Sequence, residues 1–198
     1  MLHASHGEYP AMISDVPLIT ALIYADSALA DKALRRTVRQ FEAAGRRLAG
    51  VVQRDTQRAG RTGCDMTLEE LSTGTAIEIS QDRGPHARCC RLDLGEMTRA
   101  IQLASMALRG APDLLVLNKF GKTEVEGGGF RALIAEAIDR GVPVLIAVPY
   151  RNIDPWRAFA GNLAREIHLT GTDDDLALDH LCRVGAALAL TQPGPRNA

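Results

Sequence analysis

The apolar positions of this chain fall into short continuous runs separated by amphipathic stretches. Residues 18–25 (LITALIYA), 47–54 (RLAGVVQR), 113–118 (DLLVLN) and 144–148 (VLIAV) are almost unbroken aliphatic runs, the pattern of strands buried on both faces. Between them, residues 30–44 carry Ala33, Leu34, Val38, Phe41 and Ala44 at helical spacing, with Gly45 as the stop. A second helix is predicted from residue 94 or 95 to Gly110, burying Met97, Ile101, Ala104, Met106 and Leu108. A third spans 130–140 and ends at Gly141 and Pro143. Residues 66–71 and 76–79 flank Ser72-Thr73-Gly74-Thr75 and read as a hairpin. Asp154-Pro155 starts a short helix with Pro155 in its first position. Residues 166–170 form a final strand, and a last helix runs from 173 to 190.

Strands alternating with helices predict an α/β fold of three layers, a mostly parallel sheet covered on both faces with a small hairpin insertion. Residues 1–17 lack periodicity and read as a flexible arm, 18–190 as a single domain, and 191–198 as a disordered tail. Right-handed crossovers place the strand C-terminal ends along one edge, where open α/β sheets hold their ligands. The segments to inspect are therefore 25–32, 54–61, 118–129 and 149–154.

Composition narrows the partners. A chain of 198 residues with 46% hydrophobic content suits one core. A net charge of -1 gives no global attraction to nucleic acid or an anionic membrane. No apolar run is long enough to span a bilayer. The first ten residues lack a basic-then-apolar leader pattern, so a cytoplasmic location is expected. The four cysteines, Cys64, Cys89, Cys90 and Cys182, form no C-x-x-C spacing and read as reduced thiols.

Three segments carry candidate chemistry. The first turn, residues 24–32, stands where a phosphate-binding loop would, yet no glycine occurs between Leu18 and Gly45. Asp26 and Asp31 repel phosphate, and Lys32 is one residue late for a phosphate-loop lysine. An ordinary capped helix start, with Asp31 near the N-terminal dipole, accounts for the same residues. The second segment, residues 118–129, places Asn118 and Lys119 where a nucleotide hydrolase needs a magnesium-binding acid. Glu124 and Glu126 follow as candidate carboxylates. Gly127, Gly128 and Gly129 either present amides to an anion or form a flexible turn. The third, residues 83–93, sets Arg83, His86, Arg88 and Arg91 around Cys89 and Cys90. It suits oxyanion capture or redox sensing, or is a solvated loop anchored by Cys90 or Leu92. Arg54, Arg58 and Arg61 add either a positive rim or plain surface. His168 and His180 read as packed or surface side chains, and Trp156 as the anchor of the 154–160 helix.

The stretch 113–124 resembles the D-E-I-G-x-M-E segment of thermostable nucleoside-triphosphatases, which are small P-loop enzymes. The fuller pattern N-[KR]-F-G-K-x-E-x-E-G-x-G-[FL] at residues 118–130, with C-R-L-D at 90–93, is closer to an uncharacterised bacterial domain family. Its members are described as proteins of unknown function, or as molybdenum-transport-related ATP-binding proteins. The resemblance implies a P-loop-NTPase-like fold, binding of a nucleotide such as ATP or GTP or of an oxyanion, and a role in molybdenum supply.

The leading reading is a non-hydrolysing protein that binds a small anion or nucleotide. Its ligand would be held by Lys32, Arg54, Arg58, Arg61, Arg88, Cys89, Cys90, Arg91, Asn118, Lys119, Lys122 and the Gly127, Gly128 and Gly129 amides, with no resident metal. The second is a weak magnesium-dependent triphosphatase using Glu124 or Glu126 to orient water. The third is a structural homodimer joined through residues 176–190.

Overall fold

A computed structural model describes residues 18–56, 65–81 and 91–170. β1 (Ile19–Tyr24) is buried at every position, as a run of six apolar or small residues without alternation demands. α1 (Ser27–Ala43) follows after only Ala25 and Asp26. It starts three residues before the predicted boundary because Asp26 caps it. The Asp26 carboxylate accepts the Ala28 N–H at 2.9 Å and so satisfies one of the helix's orphan donors.

β2 (Leu48–Thr56) leads into the expected hairpin, β3 (Asp65–Glu70) and β4 (Thr75–Glu78). The buried Glu70 carboxylate holds the turn by accepting from the N–H and hydroxyl groups of both Ser72 and Thr73. β5 (Ser80–Gln81) and β6 (Arg91–Leu92) form a two-residue antiparallel pair that the hydrophobic pattern does not announce.

α2 (Leu94–Arg109) is capped by Asp93, which accepts from Gly95 and Glu96. Its buried stripe is Ala100, Ala104 and Leu108 at intervals of four. Met106, expected in the core, is 57% exposed because it falls off that stripe. β7 (Leu114–Leu117) is the buried strand expected at the centre. The segment after it contains an unexpected one-turn helix, α3 (Lys122–Val125), before α4 (Arg131–Asp139). β8 (Val144–Pro149) passes through a 3-10 turn, Tyr150–Asn152, into α5 (Ile153–Ala160). Pro155 occupies the third position of α5, still within the first turn where its missing N–H costs nothing. β9 (Ala164–His168) begins two residues earlier than predicted.

Among the described residues the seven-stranded sheet runs β4-β3-β2-β7-β8-β1-β9. β2, β7, β8, β1 and β9 are mutually parallel, and β3 and β4 extend one edge antiparallel. This is the expected three-layer α/β architecture of P-loop-NTPase type with its hairpin insertion.

Handedness distributes the helices. The β1-to-β2 crossover travels one way along the sheet, and the later crossovers travel back. Right-handed connections therefore put α1 on one face and α2, α4 and α5 on the other. The two cores agree. Leu22, Val52, Val116 and Ala147 pack with Ala33 and Leu34 of α1. The alternate residues Ile23, Val51, Leu117 and Val148 pack with Ala104, Ile134 and Trp156. Gly50 is obligatory in β2: its φ is +108°, and a Cβ there would sit 1.9 Å from the Val116 carbonyl oxygen.

The predicted arm (1–17), the loops 57–64 and 82–90, the last helix (173–190) and the tail (191–198) lie outside the described residues. Among the described residues, no helix is long and apolar enough to cross a membrane.

Candidate functional site

The C-terminal ends of β2, β7, β8 and β1 share one edge, and their exits differ sharply. At β1 the chain turns into α1 within two residues. A loop that short cannot wrap amides around a phosphate, and the Asp26 carboxylate already occupies the positive end of the helix. Lys32 lies in the second turn of α1 with an exposed side chain. This exit is a capped helix start.

At β7 the buried Asn118 side chain donates to Gln53 Oε1 of β2 at 2.9 Å, so it ties two strand ends together. Lys119 is exposed and makes no ion pair among the described residues. Phe120 turns inward. Its N–H donates to the Ala147 carbonyl at 2.8 Å, and its ring meets Trp156 edge-on and stacks on Phe159.

Glu124 is only 3% exposed. One carboxylate oxygen accepts the Gly121 N–H at 2.8 Å and the other accepts the Phe130 N–H at 3.0 Å. Arg131 closes the arrangement by donating to the Glu124 carbonyl at 3.3 Å. The carboxylate expected to orient water is thus committed to backbone amides. It closes residues 121–130 into a ring.

The glycines serve that ring. Gly127 and Gly128 donate their N–H groups to the Glu124 and Thr123 carbonyls at 3.1 and 2.9 Å. These two amides end the α3 turn. Gly129 has φ +60°, and a Cβ there would lie 1.9 Å from Glu124 Oε1. Glycine is required for the carboxylate to fit. Lys122 and Glu126, both exposed, pair with each other across one turn at 3.6 Å.

At β2, Arg54 forms a two-pronged ion pair with Glu69 of β3. That pairing braces the hairpin. Arg91 opens β6. Arg58, Arg61, Arg88, Cys89 and Cys90 lie outside the described residues.

At β8, Arg151 is exposed and makes no ion pair among the described residues. The next residue, Asn152, donates to the Phe120 carbonyl at 2.8 Å and links the β8 exit to the β7 exit. Tyr24, the last residue of β1, is 9% exposed. Burial first, then the negative charge of Asp31, raises its hydroxyl pKa, while Arg151 acts in the opposite direction. The hydroxyl therefore stays protonated at neutral pH and able to donate. Neither Tyr24 nor Arg151 belongs to a recognisable motif. The only signal for them in the chain is their position at strand ends.

Among the described residues no group of three or more His, Cys, Asp or Glu side chains gathers to hold a metal ion. A cleft of about 470 Å³ opens at the opposite edge of the sheet, beside Arg46, Arg47 and Met106. Arg47 there is committed to the Gly110 and Ala111 carbonyls and Arg46 to Asp113.

The family model described as "Protein of unknown function (DUF2478)" matches residues 19–173. The chain belongs to the DUF2478 family. The match takes in the whole described sheet and the 118–130 motif. The DUF2478 chain is also similar to a protein of Bradyrhizobium diazoefficiens named "Molybdenum import ATP-binding protein ModC 2". The two are 34% identical over 147 residues, covering 73% of this chain and 16% of that protein. The chain thus spans about a sixth of the curated relative it matches. No solved structure matches this DUF2478 chain.

Proposed function

We propose that this DUF2478 domain is a non-hydrolysing ligand-binding module, accessory or regulatory to molybdenum supply, that holds a small oxyanion or a nucleotide at the C-terminal edge of its sheet. The observation that carries the reading is the state of Glu124. Both of its oxygens accept backbone N–H groups, so the best-placed acid of the edge is withdrawn from metal binding and proton transfer. Lys119 beside it is an exposed cation without a counter-ion among the described residues. An edge of that charge favours retaining an anion over cleaving one. The similarity to a protein named for molybdenum import and ATP binding supplies the two ligand classes to try.

Titration calorimetry with molybdate, tungstate, phosphate, ATP and GTP tests the reading, alongside phosphate release in magnesium. Heat with at least one ligand, weakened in Lys119→Ala, and no phosphate release above background are expected. Flat titrations throughout would sink the proposal. Magnesium-dependent release that Glu126→Gln abolishes would move the function to a triphosphatase.

A further inference from the structure

We infer that Tyr24 and Arg151, at the adjoining ends of β1 and β8, form the primary subsite for a tetrahedral oxyanion, either free or as the terminal phosphate of a nucleotide. The assignment rests on the anion-binding reading above and names the pair at its centre.

β1 and β8 are parallel neighbours, with Tyr24 opposite Pro149 in the register. Arg151 follows two residues later. The chain leaving β1 goes to the α1 face and the chain leaving β8 goes to the α5 face. Exits that diverge from adjacent parallel strands open a crevice between them, which is where ligands settle in such sheets.

The α1 side of this crevice is unsuited to an anion. Asp26 fills the helix start, and Asp31 acts electrostatically on Tyr24 from the same helix. The β8 side is the reverse. Arg151 is an exposed guanidinium with no ion pair among the described residues, and a guanidinium matches two oxygens of a tetrahedral anion at once.

Tyr24 completes the pair. It is nine-tenths buried, it makes no hydrogen bond to a described residue, and its hydroxyl is held in the protonated, donating form. Among the described residues only Trp156 Nε1 is a buried side-chain polar atom without a partner, so the Tyr24 ring lies in the core while its unpaired hydroxyl reaches solvent and can donate to a ligand there. Asn152 anchors the Arg151 segment to Phe120, and so fixes the guanidinium's backbone against the segment after β7 that bears Lys119.

Calorimetry with molybdate, phosphate and ATP on the full chain, wild type against Arg151→Gln, Tyr24→Phe and Lys119→Ala, tests the subsite. Arg151→Gln is expected to weaken binding about tenfold or more, as for loss of a charged hydrogen bond. Tyr24→Phe keeps the ring in the core and is expected to weaken binding about three- to tenfold. The Tyr24 ring resonance, in protein carrying 13C-labelled tyrosine, is expected to move on adding ligand. Competition between molybdate and ATP supports one shared subsite. ATP binding that depends on Arg151, with molybdate flat, assigns the subsite to a nucleotide phosphate. If Lys119→Ala weakens binding while Arg151→Gln and Tyr24→Phe bind as wild type, the subsite is overturned and the anion-binding reading stands. If the wild type takes up none of the three, the subsite falls, and if tungstate and GTP are flat as well the anion-binding reading falls with it.

Discussion

Glu124 shows how one side chain can look catalytic and act as a structural tie. A carboxylate that is 3% exposed can remain buried only if its oxygens find donors, and the Gly121 and Phe130 amides supply them. Glu124→Gln replaces one acceptor with an NH₂ group facing an N–H. It is expected to cost about 2 kcal/mol in chemical denaturation. Gly129→Ala, which drives a Cβ onto the same carboxylate from a left-handed backbone, is expected to cost about 3 kcal/mol. If both variants unfold at the wild-type midpoint, the carboxylate is not held as described. The motif itself was visible in the chain as G-K-x-E-x-E-G-G-G-F. Whether its acid faced solvent or amides was not, because the answer depends on how residues 121–130 close.

At the scale of elements, the ends of the sheet are held by ion pairs of different reach. Arg157 on α5 grips Glu166 on β9, with Nη2 to Oε2 at 2.6 Å and Nε to Oε1 at 3.0 Å. His168 lies 3.8 Å from the same carboxylate. The hydrogen bond from Arg157 holds the Glu166 carboxyl below its ordinary value of 4.5, aided by the charges of Arg157 and His168 against a smaller desolvation cost. A depressed carboxyl pKa stabilises the fold above the unfolded-state value, and that stabilisation disappears as pH falls through the folded-state value. Glu166→Gln should therefore melt slightly below wild type at neutral pH. The gap should close as pH drops from about 4.5 downward. A gap that persists or grows in acid would refute the assignment. Exposure of Arg157 keeps the effect small.

Elements were legible where burial is two-sided. β1 and β8 are buried at every position, and an unalternated aliphatic run has few other places to go. The start of α1 was not, since Asp26 can act as its cap only once β1 has ended, and where β1 ends depends on its pairing with β8. α3 carries no apolar period in its four residues. Arg54 read as part of a charge run because its partner, Glu69, is 15 positions away along the chain and meets it only when the hairpin folds.

Across the whole molecule, the opposed crossovers decide where the strand exits diverge. They send α1 to one face and α2, α4 and α5 to the other, and leave the β1–β8 junction as the place where the exits part. The cations of the proposed site, Arg151 after β8 and Lys119 after β7, are exposed, so their pull on an anion would act through solvent. Raising the ionic strength from about 0.01 to 0.15 M shortens the screening length from roughly 30 to 8 Å. Affinity for molybdate or ATP is expected to fall severalfold over that range, read by calorimetry at each salt concentration. An affinity indifferent to salt would point to a dry, enclosed site elsewhere.

The bond from Asn152 to the Phe120 carbonyl joins the residue after Arg151 to the residue after Lys119. One side-chain amide thus sets the spacing between the two exits, so the backbones that carry the two cations are held as a fixed gauge before any anion arrives.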